Sequence, residues 1–110
     1  MRVWYRVRDL EAGREFYTRT LGFTLTSFNA QDRWAELEHG EMEIALAEGE
    51  PEEGGVATVD VADVRAEAER LRAEGVQIGT ILELHGEMRL LDVFDPDGNR
   101  LQLAEDLTGS

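Results

Sequence analysis

Cysteine is absent from this 110-residue chain, which removes disulfides, thiolate metal ligands and a cysteine nucleophile together. Lysine is absent too: all 11 basic residues are arginine. Schiff-base chemistry and the lysine clamp of a P-loop are thereby excluded. There are two serines, Ser27 and Ser110, and neither sits in a Gly-x-Ser-x-Gly elbow, which argues against a serine hydrolase. No window holds the roughly 20 apolar residues of a membrane span, and the start, MRVWYRVRDL, is too charged for a signal peptide. A cytoplasmic location is expected.

What is present in excess is acid. Twenty-four Asp and Glu set against the arginines give a net charge of −13. Such a field repels a phosphate backbone, so no nucleic-acid partner is expected, and with no span no membrane partner either. It would attract a cationic ligand, although surplus carboxylates also serve simple solubility. The length suits one domain, 1–110, with a real hydrophobic core and one site region.

The chain contains an internal repeat. Val3, Tyr5 and Val7 alternate with Arg2, Trp4 and Arg6 as in a strand. Asp9 then stands as a helix cap, Leu10, Phe16, Tyr17 and Leu21 follow a helical face, and Gly22 ends it. The same grammar returns with Ala57, Val59 and Val61, the cap Asp63, the stripe Val64, Ala68 and Leu71, and Gly75. The caps are 54 residues apart (9 to 63) and the terminal glycines 53 (22 to 75). Strand material follows each helix, FTLTSF and then VQIGTIL, and after it a hairpin. The first, RWAELEHGEMEIALAE, turns near His39-Gly40; the second, MRLLDVFDPDGNRLQLAED, turns at Asp95-Pro96-Asp97-Gly98. Their ends IALAE (44–48) and LQLAE (101–105) match at an offset of 57. The tetrapeptide HGEM at 39–42 and 85–88 recurs at an offset of 46, out of step with everything else, and reads as a chance echo. Each half is thus strand, helix, strand, strand, strand, over 1–48 and 55–106. The linker 49–54 lies between them, and Gly54-Gly55 reads as connection, not as a phosphate loop.

VRDLEAGREFYTRTLGF near the start and FDPDGNRLQL near the end, with the repeat between them, resemble the vicinal oxygen chelate superfamily. Glyoxalase I, extradiol dioxygenases, fosfomycin-resistance enzymes and bleomycin-resistance proteins belong to it. The resemblance covers about residues 2 to 105. It implies an α+β fold of two tandem βαβββ modules that form a curved mixed sheet around a cleft, a bacterial source and a homodimer. It also implies, in catalytic members, a divalent metal held by residues on the first and last strands of each module. Carried onto this chain, those positions fall on Arg2, Val56, Ala45 and Gln102. Arginine is permanently cationic and has no lone pair to offer, valine and alanine have no donor atom, and one glutamine carbonyl is too little to hold an ion. No metal and no other cofactor is therefore expected.

Period-2 alternation supplies the rest of the concave face: Arg2, Trp4, Arg6, Trp34, Glu36, Glu43, Thr58, Asp60, Asp92, Phe94, Arg100 and Gln102. Some of these would be rim positions or cross-sheet salt bridges. Two tryptophans around polar groups describe a small-molecule pocket, and Arg2, Trp4, Trp34, Glu36, Glu43, Asp60, Phe94, Arg100 and Gln102 are the candidate ligand contacts, with no catalytic residue assigned. His39, in a turn, and His85, at a strand entrance, are read as surface residues. Three functions remain open. The first is a metal-free binder of a cationic or aromatic small molecule, similar to the bleomycin-resistance branch and so antibiotic resistance-like. The second is a lyase, isomerase or dioxygenase using a metal, or Glu43 or Asp60 as a base. The third is a module whose cleft is vestigial.

Overall fold

The computed structural model describes residues 2–52 and 55–108, the side chain of Arg2 excepted. Its first module runs β1 (Arg2–Val7), α1 (Leu10–Glu15) continuing without a break into a π-helical turn (Phe16–Thr20), β2 (Thr24–Asn29), β3 (Trp34–His39) and β4 (Met42–Glu48). The second runs β5 (Ala57–Asp60), α2 (Val64–Ala73), β6 (Leu82–Leu84), β7 (Met88–Phe94) and β8 (Arg100–Asp106). Each builds a four-stranded mixed sheet, in the orders β1-β4-β3-β2 and β5-β8-β7-β6. First and last strands of a module pair in parallel, and the rest form antiparallel hairpins. The helix and two strands between them supply the long crossover that a parallel pair requires. The fold is α+β, two βαβββ units in tandem.

Both helices begin the same way. Asp9 and Asp63 accept from the backbone N–H of Ala12 and Ala66 at 3.1 and 3.0 Å. A second carboxylate joins each cap from the far end of the module: Glu48 accepts from Leu10 N at 3.1 Å and Glu105 from Val64 N at 2.9 Å. These glutamates are the last letters of IALAE and LQLAE, so the repeated pentapeptides end on a group that anchors the helix start to the last strand. Two carboxylates at one helix N-terminus satisfy orphan N–H groups and complement the helix dipole. Gly22 and Gly75 adopt φ of 77° and 80°, the left-handed conformation that ends a helix.

The strand expected over VQIGTIL is interrupted. Ile78 makes only an isolated antiparallel bridge to Val93, and regular pairing resumes at Leu82–Leu90 with the register shifted by one residue. The edge strand β2 has the same slip between Leu25 and Ser27. A bulge in each edge strand leaves one residue unpaired and twists the edge. In the second module Val76, Ile78 and Ile81 pack against the core in the process, so apolar content alone gave a misleading strand.

One core serves both modules. Val3, Tyr5, Val7, Leu37, Ile44 and Leu46 of the first share it with Val59, Leu91, Val93, Leu101 and Leu103 of the second, and Leu10, Tyr17, Val64 and Leu71 of the helices fill it. Tyr5 ties the halves directly: its hydroxyl donates to Arg100 O at 2.6 Å and accepts from Ala57 N at 2.9 Å. The DPDGN turn provides a second tie. Asp95 is 4% exposed and accepts from the Tyr17 hydroxyl at 2.7 Å, from Asn99 Nδ2 at 2.9 Å and from the backbone N–H of Asp97 and Asn99, each at 2.9 Å. Asn99 also donates to Arg6 O at 2.8 Å, and Arg8 N to Asp97 at 3.2 Å. The burial that a shared core imposes, with the carboxylate of Asp95 beside it, pushes the Tyr17 hydroxyl well above its ordinary pKa. Tyr17 therefore stays a donor.

Candidate functional site

With the inward faces joined in the core, the other face of each sheet points away from it. On the first module the register sets two rows across β1, β4 and β3: Trp4, Ala45, Glu36 and then Arg6, Ala47, Trp34. Ala45 and Ala47 lie on the strand between the two tryptophan-bearing strands. Adjacent strands are about 4.8 Å apart, so Trp4 and Trp34 stand on either side of two small side chains. Trp4 is 56% exposed, Trp34 half-buried and Ala45 fully covered. Glu43 continues this face in the row of Arg2 and Glu38. Neither Glu36 nor Glu43 is a free carboxylate.

The second module presents Thr58, Gln102 and Asp92 in one row, Arg100 and Phe94 in the next, and Asp60, Ala104, Leu90 and Leu82 on the other side. Gln102 donates to Asp92 at 3.4 Å, and Arg100 pairs with Asp92 at 3.5 Å. The sequence-derived face positions thus share the outward side of their sheets. Arg2 is placed by its backbone, opposite Glu43; its side chain lies outside the described residues. Val56 precedes β5, outside any strand and half-buried.

The four positions that would hold a metal do not make a donor set. Ala45 is buried and has no donor atom, Val56 likewise offers none, and the amide of Gln102 is turned to Asp92. A different group of carboxylates does come together. Single oxygens of Asp9, Glu11 and Glu48 all lie within 4.8 Å of one another, at the start of α1 on the helix side of the sheet. Arg33 already occupies this cluster, reaching Glu11 at 2.6 and 2.9 Å and Glu48 at 2.7 and 3.1 Å. The hydrogen bond from Arg33 holds Glu11 down to about 2 and holds Glu48 below its ordinary range as well, the N–H of Leu10 adding to the latter.

Two readings from sequence change. His39 is the last residue of β3 and half-buried. It shares the inward phase of Ala35 and Leu37, with its ring 5.3 Å from that of Phe23, because β3 extends one residue further than the turn signal suggested. His85 is exposed, as expected, in the β6–β7 turn with a positive φ of 53°. Both HGEM copies are therefore hairpin turns, of different hairpins. Sequence reasoning missed the outward apolar group Leu82, Leu84, Met88 and Leu90, since the displaced β6 hid its phase.

A family model described as Glyoxalase/Bleomycin resistance protein/Dioxygenase superfamily matches residues 2–103. The chain belongs to that superfamily. No curated protein matches it by sequence. Among solved structures, a glyoxalase/bleomycin resistance protein/dioxygenase from Nocardioides is 26% identical, with a TM-score of 0.70 over 100% of this chain and 84% of that one. TnmS3, an antibiotic binding protein from Streptomyces sp. CB03234, is 24% identical, with a TM-score of 0.79 over 96% and 93%. Lactoylglutathione lyase from Agrobacterium tumefaciens is 16% identical, with a TM-score of 0.76 over 100% and 96%. A binding protein and an enzyme superpose comparably, so this superfamily member's role has to be read from its site. No helix among the described residues is long and apolar enough to cross a membrane.

Proposed function

We propose that this superfamily member is a metal-independent small-molecule-binding protein of the bleomycin-resistance type, acting in the cytoplasm as a homodimer. The observation that carries the reading is the replacement of the four metal-ligand positions by Arg2, Ala45, Val56 and Gln102, while aromatic walls stand beside them. Trp4 and Trp34, with the partly exposed Ala47 on the strand between theirs, suit a flat ring held by stacking and apolar contact. A second copy, placing its second module over the first module here, completes the cleft. Glu36, Glu43, Arg100 and Gln102 then supply the polar contacts that orient the ligand, and Phe94 an apolar one.

The likeness to an antibiotic binding protein supports this reading. The likeness to a lyase, together with Asp60, for which the described residues provide no ion-pair partner, favours a second one: acid–base catalysis with Asp60 as the base. A thermal-shift screen of aromatic natural products, run with and without a chelator, separates them. Binding predicts a rise in melting temperature that the chelator leaves unchanged and that produces no new compound on incubation. A chelator-sensitive rise, or turnover of a 2-oxoaldehyde–thiol adduct or a catechol, sinks the binding reading.

A further inference from the structure

Three of the large hydrophobic side chains exposed among the described residues, Leu82 at 55%, Leu84 and Met88, lie on the outward side of β6 and β7. Leu82 pairs across with Leu90 and Leu84 with Met88, so these four form one apolar block two strands wide. The next strand drops to Ala104 beside Leu90 and then presents Asp106 beside Met88; beyond it, Asp60 of β5 stands opposite Ala104. A groove of about 410 Å³ runs here between Met88, Ala104, Asp60 and Asp106. Asp60 is shared with a second groove of about 510 Å³, whose far wall is Glu41 and Met42 of the β3–β4 turn. Grease and carboxylate alternate along the whole path.

Three of this module's arginines are committed elsewhere, and the other two, Arg65 and Arg72, stand on α2. Arg89 is on the opposite phase of β7, held by Glu83 at 3.0 Å and Glu105 at 3.5 Å. Arg100 is bound to Asp92, and Arg70 to Glu67 and Glu74. No arginine among the described residues forms an ion pair with Asp60, Asp106 or Glu41, although Asp106 accepts from Thr108 N and Oγ1 at 2.8 and 2.6 Å. An exposed apolar block of this kind marks a surface that something covers. Its acidic border opposes an anion. A positive charge on a lipophilic body answers both halves of the surface.

We propose that the second module's outward face binds lipophilic organic cations, their apolar body against Leu82, Leu84, Met88 and Leu90 and their charge beside Asp60. This rests on the small-molecule-binding reading and names the class of ligand. Tetraphenylphosphonium and tetraphenylborate, alike in shape and opposite in charge, test it by titration calorimetry on the intact protein. The cation is expected to bind at least about tenfold more tightly than the anion, and more weakly in high salt. Asp60→Asn should weaken the cation about tenfold without lowering the melting temperature, and Leu82→Asn should weaken it while sedimentation stays unchanged. Equal binding of the two ions, no binding of either, or indifference to Asp60→Asn overturns the proposal. So does dissociation of a dimer by Leu82→Asn, which would assign the block to a second copy. If the cation class fails while neutral aromatic compounds still raise the melting temperature, the broader reading survives it.

Discussion

Asp95→Asn changes one atom for another of nearly equal size, and it should be among the most damaging substitutions in the molecule. The carboxylate accepts four hydrogen bonds, two on each oxygen. A carboxamide can keep its oxygen only toward the two backbone N–H groups; its NH₂ then faces Asn99 Nδ2 and the Tyr17 hydroxyl, both donors. Tyr17 could rotate its proton away and accept. Asn99 could turn its oxygen inward only by giving up its bond to Arg6 O. At least one buried donor therefore loses its partner, and bonds to a charged acceptor become bonds to a neutral one. Such losses cost about 1 to 3 kcal/mol each, so about 2 to 4 kcal/mol is expected here. Unfolding entropy of about 2.1 cal/mol/K per residue gives about 0.23 kcal/mol/K for 110 residues. The melting temperature should therefore fall by about 9 to 17 °C by calorimetry or circular dichroism. Tyr17→Phe removes one donor and keeps the charge, and should lower it by about half as much. A fall under about 2 °C for Asp95→Asn, or a larger one for Tyr17→Phe than for Asp95→Asn, would refute the assignment of the DPDGN turn as the tie between modules.

Further outcomes follow from the same geometry. Arg33→Gln should release Glu11, whose titration in a carbon-detected NMR experiment moves from about 2 up toward its ordinary 4.5. The folded value is the depressed one, so the stabilisation from this pair is fully present above the ordinary value and is lost as pH falls through about 2; in the variant that acid-dependent loss should shrink. Trp4→Ala should leave the melting temperature within about 2 °C, because Trp4 is exposed and exposed positions contribute little. It should weaken any aromatic ligand from the screen about tenfold; unchanged affinity would remove Trp4 from the site. Gln102→Glu places an anionic oxygen at one of the implied metal-ligand positions yet should recruit no metal. Its carboxylate would instead meet Asp92 and lower stability by about 1 kcal/mol through like-charge repulsion, measurable by urea denaturation.

Much of the architecture was legible because the chain states it twice. Caps at Asp9 and Asp63, terminal glycines at 22 and 75, and alternation along β1, β3, β4, β5, β7 and β8 are local signals, and local chemistry decided them. VQIGTIL misled because Val76, Ile78 and Ile81 pack inward across a bulge, which no period-2 reading of one strand can show. His39 misled because a turn signal fixes a neighbourhood and not the last paired residue. The outward face was readable as a set of positions, from Trp4 to Gln102. Its apolar block was not, since Leu82 and Leu84 reveal their side only once β6 is registered against β7. The tie formed by Tyr5, Tyr17 and Asp95 joins residues 78 and 95 positions apart, and distance in sequence hid it.

Elemental analysis tests the central claim most directly. Protein loaded in turn with zinc, nickel, manganese and ferrous iron, then dialysed and measured by inductively coupled plasma mass spectrometry, should retain well under one ion per chain while still binding a ligand from the screen. One ion per cleft, lost when Gln102 is replaced by alanine together with the ligand, would contradict it.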